Sequence, residues 1–123
     1  MRAALCCLFA LFAAPASAEW VKVSQAEDMV VYIDDATIRK DKHLRRVWAV
    51  LDYTQKRSDG LMSRRVLGEF DCTQEKLRIL SMFNHSQPMA RGPAKPVGND
   101  PAILTDVAGS TPAEAILRIV CAR

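Results

Sequence analysis

The residues of this chain that could do chemistry are its cysteines, histidines, aspartates and a run of arginine and lysine. There are four cysteines and two histidines in 123 residues. Cys6 and Cys7 lie in an N-terminal stretch laid out like a secretory leader. Met1-Arg2 is followed by an apolar run from Ala3 to Ala14, then by Pro15-Ala16-Ser17-Ala18 as a small-residue stop. Cleavage between Ala18 and Glu19 would remove both cysteines. Cys72 and Cys121 then remain in an exported, oxidising setting, where a single pair reads as a disulfide. Two separate buried thiols, or a redox pair, are the competing readings. The spacing is not Cys-x-x-Cys, and a bonded Cys72 has no thiolate to act as a nucleophile. A bond closing about 50 residues is worth roughly 4 kcal/mol in chain entropy.

The histidines are His43 and His85. A metal site needs three or four suitable ligands, so both read as solvent-facing loop residues, and no metal or cofactor is expected. Asp34-Asp35 and Asp71 are the carboxylates that could serve acid–base work. Neighbours in a strand point to opposite faces, and aspartates at strand ends usually bond nearby backbone. No phosphate-cradling glycine loop, His-Glu-x-x-His or Gly-x-Ser-x-Gly pattern is present. The expectation is a protein that is not an enzyme.

Arg39, Lys40, Lys42, Arg45 and Arg46 form a dense basic cluster, with Lys56-Arg57 and Arg64-Arg65 flanking the next turn. These five are the candidate ligand-binding residues, suited to a sulfated glycan or lipid headgroups. The competing reading is a solvated face, since Asp35, Asp41 and Asp59 are interleaved. Net charge is only +3. No basic strand is interleaved with aromatic residues as single-stranded nucleic-acid binders require, so no nucleic-acid partner is expected. Nothing after Ala18 approaches the ~18 apolar residues of a transmembrane helix, and no cysteine lies near Ala18 to carry a lipid.

These residues must be positioned by one domain spanning residues 19–123, which reads as strands followed by a helix. Trp20–Val23 is a short alternating segment. Met29–Asp34 is rich in β-branched and aromatic residues. Ala36–Lys42 reads as a polar connection with room for a helical turn. Arg45–Tyr53 is the clearest strand, with Val47, Ala49, Leu51 and Tyr53 on one face. Trp48 and Val50 on its other face point to partial cover on both sides. Asp59-Gly60 marks a turn, and Ser63–Phe70 returns with Val66, Gly68 and Phe70 opposite Arg65, Leu67 and Glu69. Lys76–Asn84 alternates Leu77, Ile79, Ser81 and Phe83 against Arg78, Leu80 and Met82. His85–Pro101 is an irregular loop with four prolines. Ile103–Val107 could hold a last short strand. Thr111-Pro112 with Glu114 signs a capping box, and Ala113, Ile116, Leu117 and Val120 then fall on one helical face. Cys121 lies at its edge, which would staple the helix to the start of the strand carrying Cys72. The fold class is α+β: a small antiparallel meander of about five to six strands with a C-terminal helix packed on it.

The order of these pieces resembles a known family. Val31-Tyr32-Ile33-Asp34-Asp35-Ala36-Thr37-Ile38-Arg39 precedes Arg46-Val47-Trp48-Ala49-Val50-Leu51-Asp52-Tyr53. Ser63-Arg64-Arg65, Glu69-Phe70-Asp71-Cys72 and a terminal Val120-Cys121 follow. The pattern is similar to the surface-adhesin protein E-like domain of bacterial exported proteins. The resemblance implies the same sheet, helix and Cys72–Cys121 bond. It also implies a non-enzymatic envelope protein, periplasmic, secreted or on the cell surface. Its partners would be a host matrix or serum protein, or another envelope protein. The alternative is an accessory periplasmic protein that touches no host.

Overall fold

A computed structural model of the chain describes residues 19–98 and 103–123. The leader and its cleavage point before Glu19 fall at or beyond the edge of that range, as do residues 99–102. The strands are β1 (Val21–Gln25), β2 (Met29–Asp41), β3 (Leu44–Tyr53), β4 (Ser63–Asp71), β5 (Lys76–His85), β6 (Ala94–Pro96) and β7 (Thr105–Asp106), followed by helix α1 (Pro112–Cys121). They form one antiparallel sheet in the order β1-β2-β3-β4-β5-β6, and β7 pairs with the other end of β5. Short polar links between consecutive strands make this meander the simplest solution.

Alternation along β3 and β4 sets two faces. Val47 and Ala49 of β3 and Val66 and Phe70 of β4 point one way, with Val31 and Ile33 of β2 beside them. Helix α1 lays Ile116, Leu117 and Val120 onto that face, completing the core. Burying an aliphatic side chain of this size stabilises by roughly 1.5–3 kcal/mol. The helix begins where its sequence says: Thr111 is the N-cap, its Oγ1 accepts from the Glu114 amide at 3.3 Å, and Pro112 follows. Its last turn is bonded to the sheet through Cys72–Cys121, with Cα atoms 5.6 Å apart. Cys72 lies just beyond the end of β4, in the turn to β5, rather than at a strand start.

Three local expectations are corrected. Ala36–Lys42 is not a connection with a helical turn; it is the second half of β2. A bulge between Asp34 and Arg39 interrupts the pairing, and side chains close it. Asp34 Oδ1 accepts from the Ala36 amide at 3.2 Å. Thr37 Oγ1 donates to the Asp34 carbonyl at 2.6 Å and accepts from the Trp48 amide at 3.1 Å. With those bonds in place, Arg39–Asp41 pair with Leu44–Arg46, and the chain reverses at Lys42 (φ 55).

The alternation of β5 also changes phase. Gly68 pairs with Ile79 but Leu67 pairs with Ser81, so Leu80 is an extra residue. A bulge of this kind turns the following side chains over. Met82 therefore packs on the core side, and Phe83 faces out. Finally, the proline-rich segment is partly ordered structure. A left-handed turn at Met89 (φ 58) and Ala90 (φ 54) packs on β3 and β4, and β6 then edges β5.

Candidate functional site

The five basic residues do come together, on the β2–β3 hairpin, but they divide between its faces. Arg39 and Arg46 are cross-strand partners on the outer face, away from α1; Lys40 and Arg45 share the helix side; Lys42 is in the turn. Their freedom differs. Arg46 Nε donates to Glu69 Oε2 at 2.8 Å. Glu69 is only 7% exposed, and a carboxylate so placed needs a paired donor. Arg45 donates to the carbonyls of Lys42 (2.7 Å), Leu44 (2.9 Å) and Arg123 (3.4 Å), tying the hairpin to the chain end. Arg39 donates to the carbonyls of Ala36 and Ile38. Lys40 and Lys42 are exposed and make no ion pair among the described residues.

Register carries this charge across the outer face. Arg39, Arg46, Glu69 and Arg78 stand opposite one another on four successive strands. Arg46 and Arg78 thus flank one embedded carboxylate, and Arg39 lies one strand further out. Further along the same face, the Arg65 guanidinium lies over the Trp48 ring at 4.6 Å and over the Phe83 ring at 4.8 Å. The two ring centroids are 6.3 Å apart, so the guanidinium rests over both of these neighbouring rings at once. Each such contact is worth about 0.5–1 kcal/mol at an exposed site and more when dry. Arg65 pairs with no carboxylate among the described residues.

Beside Arg65 opens a cleft of about 650 Å³, lined among others by Trp20, Asp34, Thr37, Trp48 and His85. The Met89–Ala90 turn makes one wall. It is held there by Met89 N–H donating to Asp52 Oδ1 and Ala90 N–H to Ser63 Oγ, both at 2.9 Å. Two successive non-glycine residues in the left-handed region cost roughly 1–3 kcal/mol each. His85 is not the solvent-facing loop residue expected. It ends β5 opposite Ser63, is 4% exposed, and neither ring nitrogen has a hydrogen-bond partner among the described residues. The segment after it folds back over the sheet and covers it.

The three residues considered for acid–base work are not gathered. Asp34 and His85 line the cleft, whereas Asp71 sits at the far end of β4. Asp71 Oδ1 accepts from the Thr73 and Gln74 amides, each at 2.9 Å, and His43 Nε2 lies 3.4 Å from its Oδ2. The Gln74 amide above all holds its carboxyl below the usual range; burial opposes this, and the Thr73 amide, His43 and Lys76 add to the lowering. His43 is exposed, as expected for a turn residue. No group of three potential metal ligands gathers among the described residues. A second cavity, about 260 Å³ and apolar, lies between the start of α1 and the sheet beside Leu77, Ile79 and Met82.

Sequence reasoning singled out the basic cluster, but read Ala36–Lys42 as a connection rather than one arm of a hairpin, and it missed the cleft. Trp48 and Val50 on a nominally polar face were its visible trace. Nothing in a linear reading placed Trp20, Arg65 and His85 next to them.

The fold is therefore an α+β domain of one antiparallel sheet, one covering helix and one disulfide. The surface-adhesin protein E family profile matches residues 20–122, and the chain belongs to that family. It is a protein of the surface-adhesin type. Three solved structures of protein E from Haemophilus influenzae share the fold. One matches with a TM-score of 0.65 at 15% identity over 87% of this chain and 86% of that one. Another, of crystal form II, gives 0.62 at 16% identity over 83% and 96%. Protein E from a non-typeable strain gives 0.64 at 14% identity over 87% and 78%. Among curated proteins, none matches the chain by sequence. No helix among the described residues is long and apolar enough to cross a membrane.

Proposed function

We propose that the chain is exported by cleavage between Ala18 and Glu19 and works as a non-enzymatic binding module of the bacterial envelope. It holds a host or envelope protein, or an anionic glycan, on its outer sheet face and hairpin tip. The observation that carries this reading is the row Arg39–Arg46–Glu69–Arg78, three cations and one buried carboxylate in line across the outer face, with exposed Lys42 at the tip and exposed Lys40 on the helix side beside it. A concentrated positive surface of this kind attracts anionic polymers and loses them to salt.

Two measurements test it. Protease shaving of intact cells should remove the protein while a periplasmic marker survives. Protection of the protein would favour an accessory periplasmic role and end the host-contact reading. Purified protein should be retained on heparin, and Lys40→Ala/Lys42→Ala should elute at clearly lower salt. Arg45 and Arg46 are poorer probes than their charge implies, because both are tied into the fold. Equal elution of the lysine variant would remove the tip from the binding surface.

A further inference from the structure

We propose that the outer-face cleft is a binding site for an acidic sugar, a pyranose ring carrying one carboxylate. This rests on the binding-module reading and gives it a specific pocket, separate from the hairpin tip.

The cleft volume, about 650 Å³, falls in the range that holds small ligands. Its chemistry is set by four features. Arg65 has aromatic rings over the guanidinium at 4.6 and 4.8 Å. A guanidinium resting on aromatic rings, with no carboxylate partner among the described residues, keeps N–H donors for a ligand carboxylate, which it can take through two parallel bonds. His85 is buried in the cleft wall with both ring nitrogens unpartnered among the described residues. Leaving such a group without a partner costs free energy that a bound hydroxyl would recover. Asp34 lines the same cleft; its Oδ1 is engaged by the Ala36 amide, and no described donor reaches Oδ2. Trp20 and Trp48 supply indole surface for the C–H face of a ring.

Other ligand classes meet these groups badly. A fatty or alicyclic carboxylate would satisfy Arg65 but press hydrocarbon on Asp34 and His85, which is costly for groups denied a hydrogen bond. A neutral sugar would leave the Arg65 edge without an anion. A bare phosphate or sulfate would bring two negative charges toward Asp34 and leave the indoles uncovered. An acidic sugar alone has a carboxylate for Arg65, hydroxyls for Asp34 and His85, and a carbon face for the tryptophans.

The test is an NMR titration of the exported protein, purified from the periplasm, with D-glucuronate, D-glucose and cyclohexanecarboxylate. Glucuronate should saturably shift the amides of Arg65 and His85 and the indole N–H signals of Trp20 and Trp48. Glucose and cyclohexanecarboxylate should each bind at least about tenfold more weakly, the loss of one charged or several polar contacts. Arg65→Met keeps much of the packing volume and should weaken glucuronate about tenfold. Trp20→Ala lies outside the strands and should weaken it while leaving the thermal midpoint in place. No saturable shift with glucuronate, equal binding of the three ligands, or undiminished binding by both variants would overturn the proposal. Heparin retention measured on the same preparation separates the two readings. Retention without glucuronate binding sinks only the cleft site. Glucuronate binding without retention sustains the cleft and sinks the polymer-binding tip.

Discussion

Removing the disulfide should cost this domain a large share of its stability. The perturbation is Cys72→Ala/Cys121→Ala, compared with the oxidised parent. The bond closes a loop with a sequence separation of 49 residues, which contains β5, β6, β7 and most of α1. Chain entropy for a loop that size gives about 4 kcal/mol. Small domains have roughly 5–15 kcal/mol in total, so the variant would keep about 1–11 kcal/mol and be marginal only near the lower end of that range. For a domain of about 100 residues, 4 kcal/mol corresponds to roughly 20 °C in Tm. At a urea slope of about 1.5 kcal/mol per molar, the midpoint should fall by roughly 2.5 M. Urea unfolding followed by far-ultraviolet circular dichroism reads both the midpoint and the slope. The helix packs through Ile116, Leu117 and Val120 whether or not the sulfurs are joined, so the native spectrum of any folded fraction should resemble the parent's. A loss under about 1 kcal/mol at unchanged slope would refute the reasoning, because the unfolded chain would then be gaining little freedom from the break.

Other perturbations probe single links in the fold. Thr111→Ala removes the oxygen that accepts from the Glu114 amide and should cost about 1 kcal/mol by thermal denaturation. Gly68→Val should cost roughly 1–3 kcal/mol, because even a Cβ there would meet Phe70 at 3.2 Å and Leu77 at 3.3 Å. Arg46→Ala leaves Glu69 buried without its charged donor and should cost about 1–3 kcal/mol; adding Glu69→Gln should recover part of the loss. Asp71 titrates below its ordinary value of 3.8 in the folded chain. Its contribution is therefore complete above that ordinary value and is lost as pH falls through the lower folded value. Asp71→Asn should be less stable than the parent at neutral pH and should lose less on acidification, which unfolding across an acid series would show.

How much could be read from the chain alone depended on how local the cause was. β3 and β4 were legible because strict alternation of Val47, Ala49 and Leu51, then Val66 and Phe70, is dictated by one buried face. Helix α1 was legible because its cap, its first-turn proline and its apolar stripe all lie within eleven residues. The distal half of β2 was not, because charged residues dominate 39–42 and the bulge before them is closed by Asp34 and Thr37 side chains acting as backbone substitutes. The phase change in β5 was hidden for a similar reason: Leu80 is as apolar as its neighbours, so nothing marks it as the extra residue. The cleft depends on contacts spanning Trp20 to His85 and on left-handed backbone at Met89 and Ala90. Neither residue type advertises that conformation. The Cys72–Cys121 pairing, by contrast, was legible because the expected loss of the leader would leave a single cysteine pair.

That bond also governs what a protease can release. Arg91 and Lys95 are exposed on the stretch between the two cysteines. A cut there opens the chain, yet both pieces stay joined as a single covalent molecule, with β1–β5 in one piece and the helix in the other. A nicked protein would run at almost full mass without reductant and fall into two fragments only when the sulfurs are reduced. Surface digestion of this protein therefore has to be followed on reducing gels, since without reductant a molecule already cut at the cell surface would pass for an untouched one.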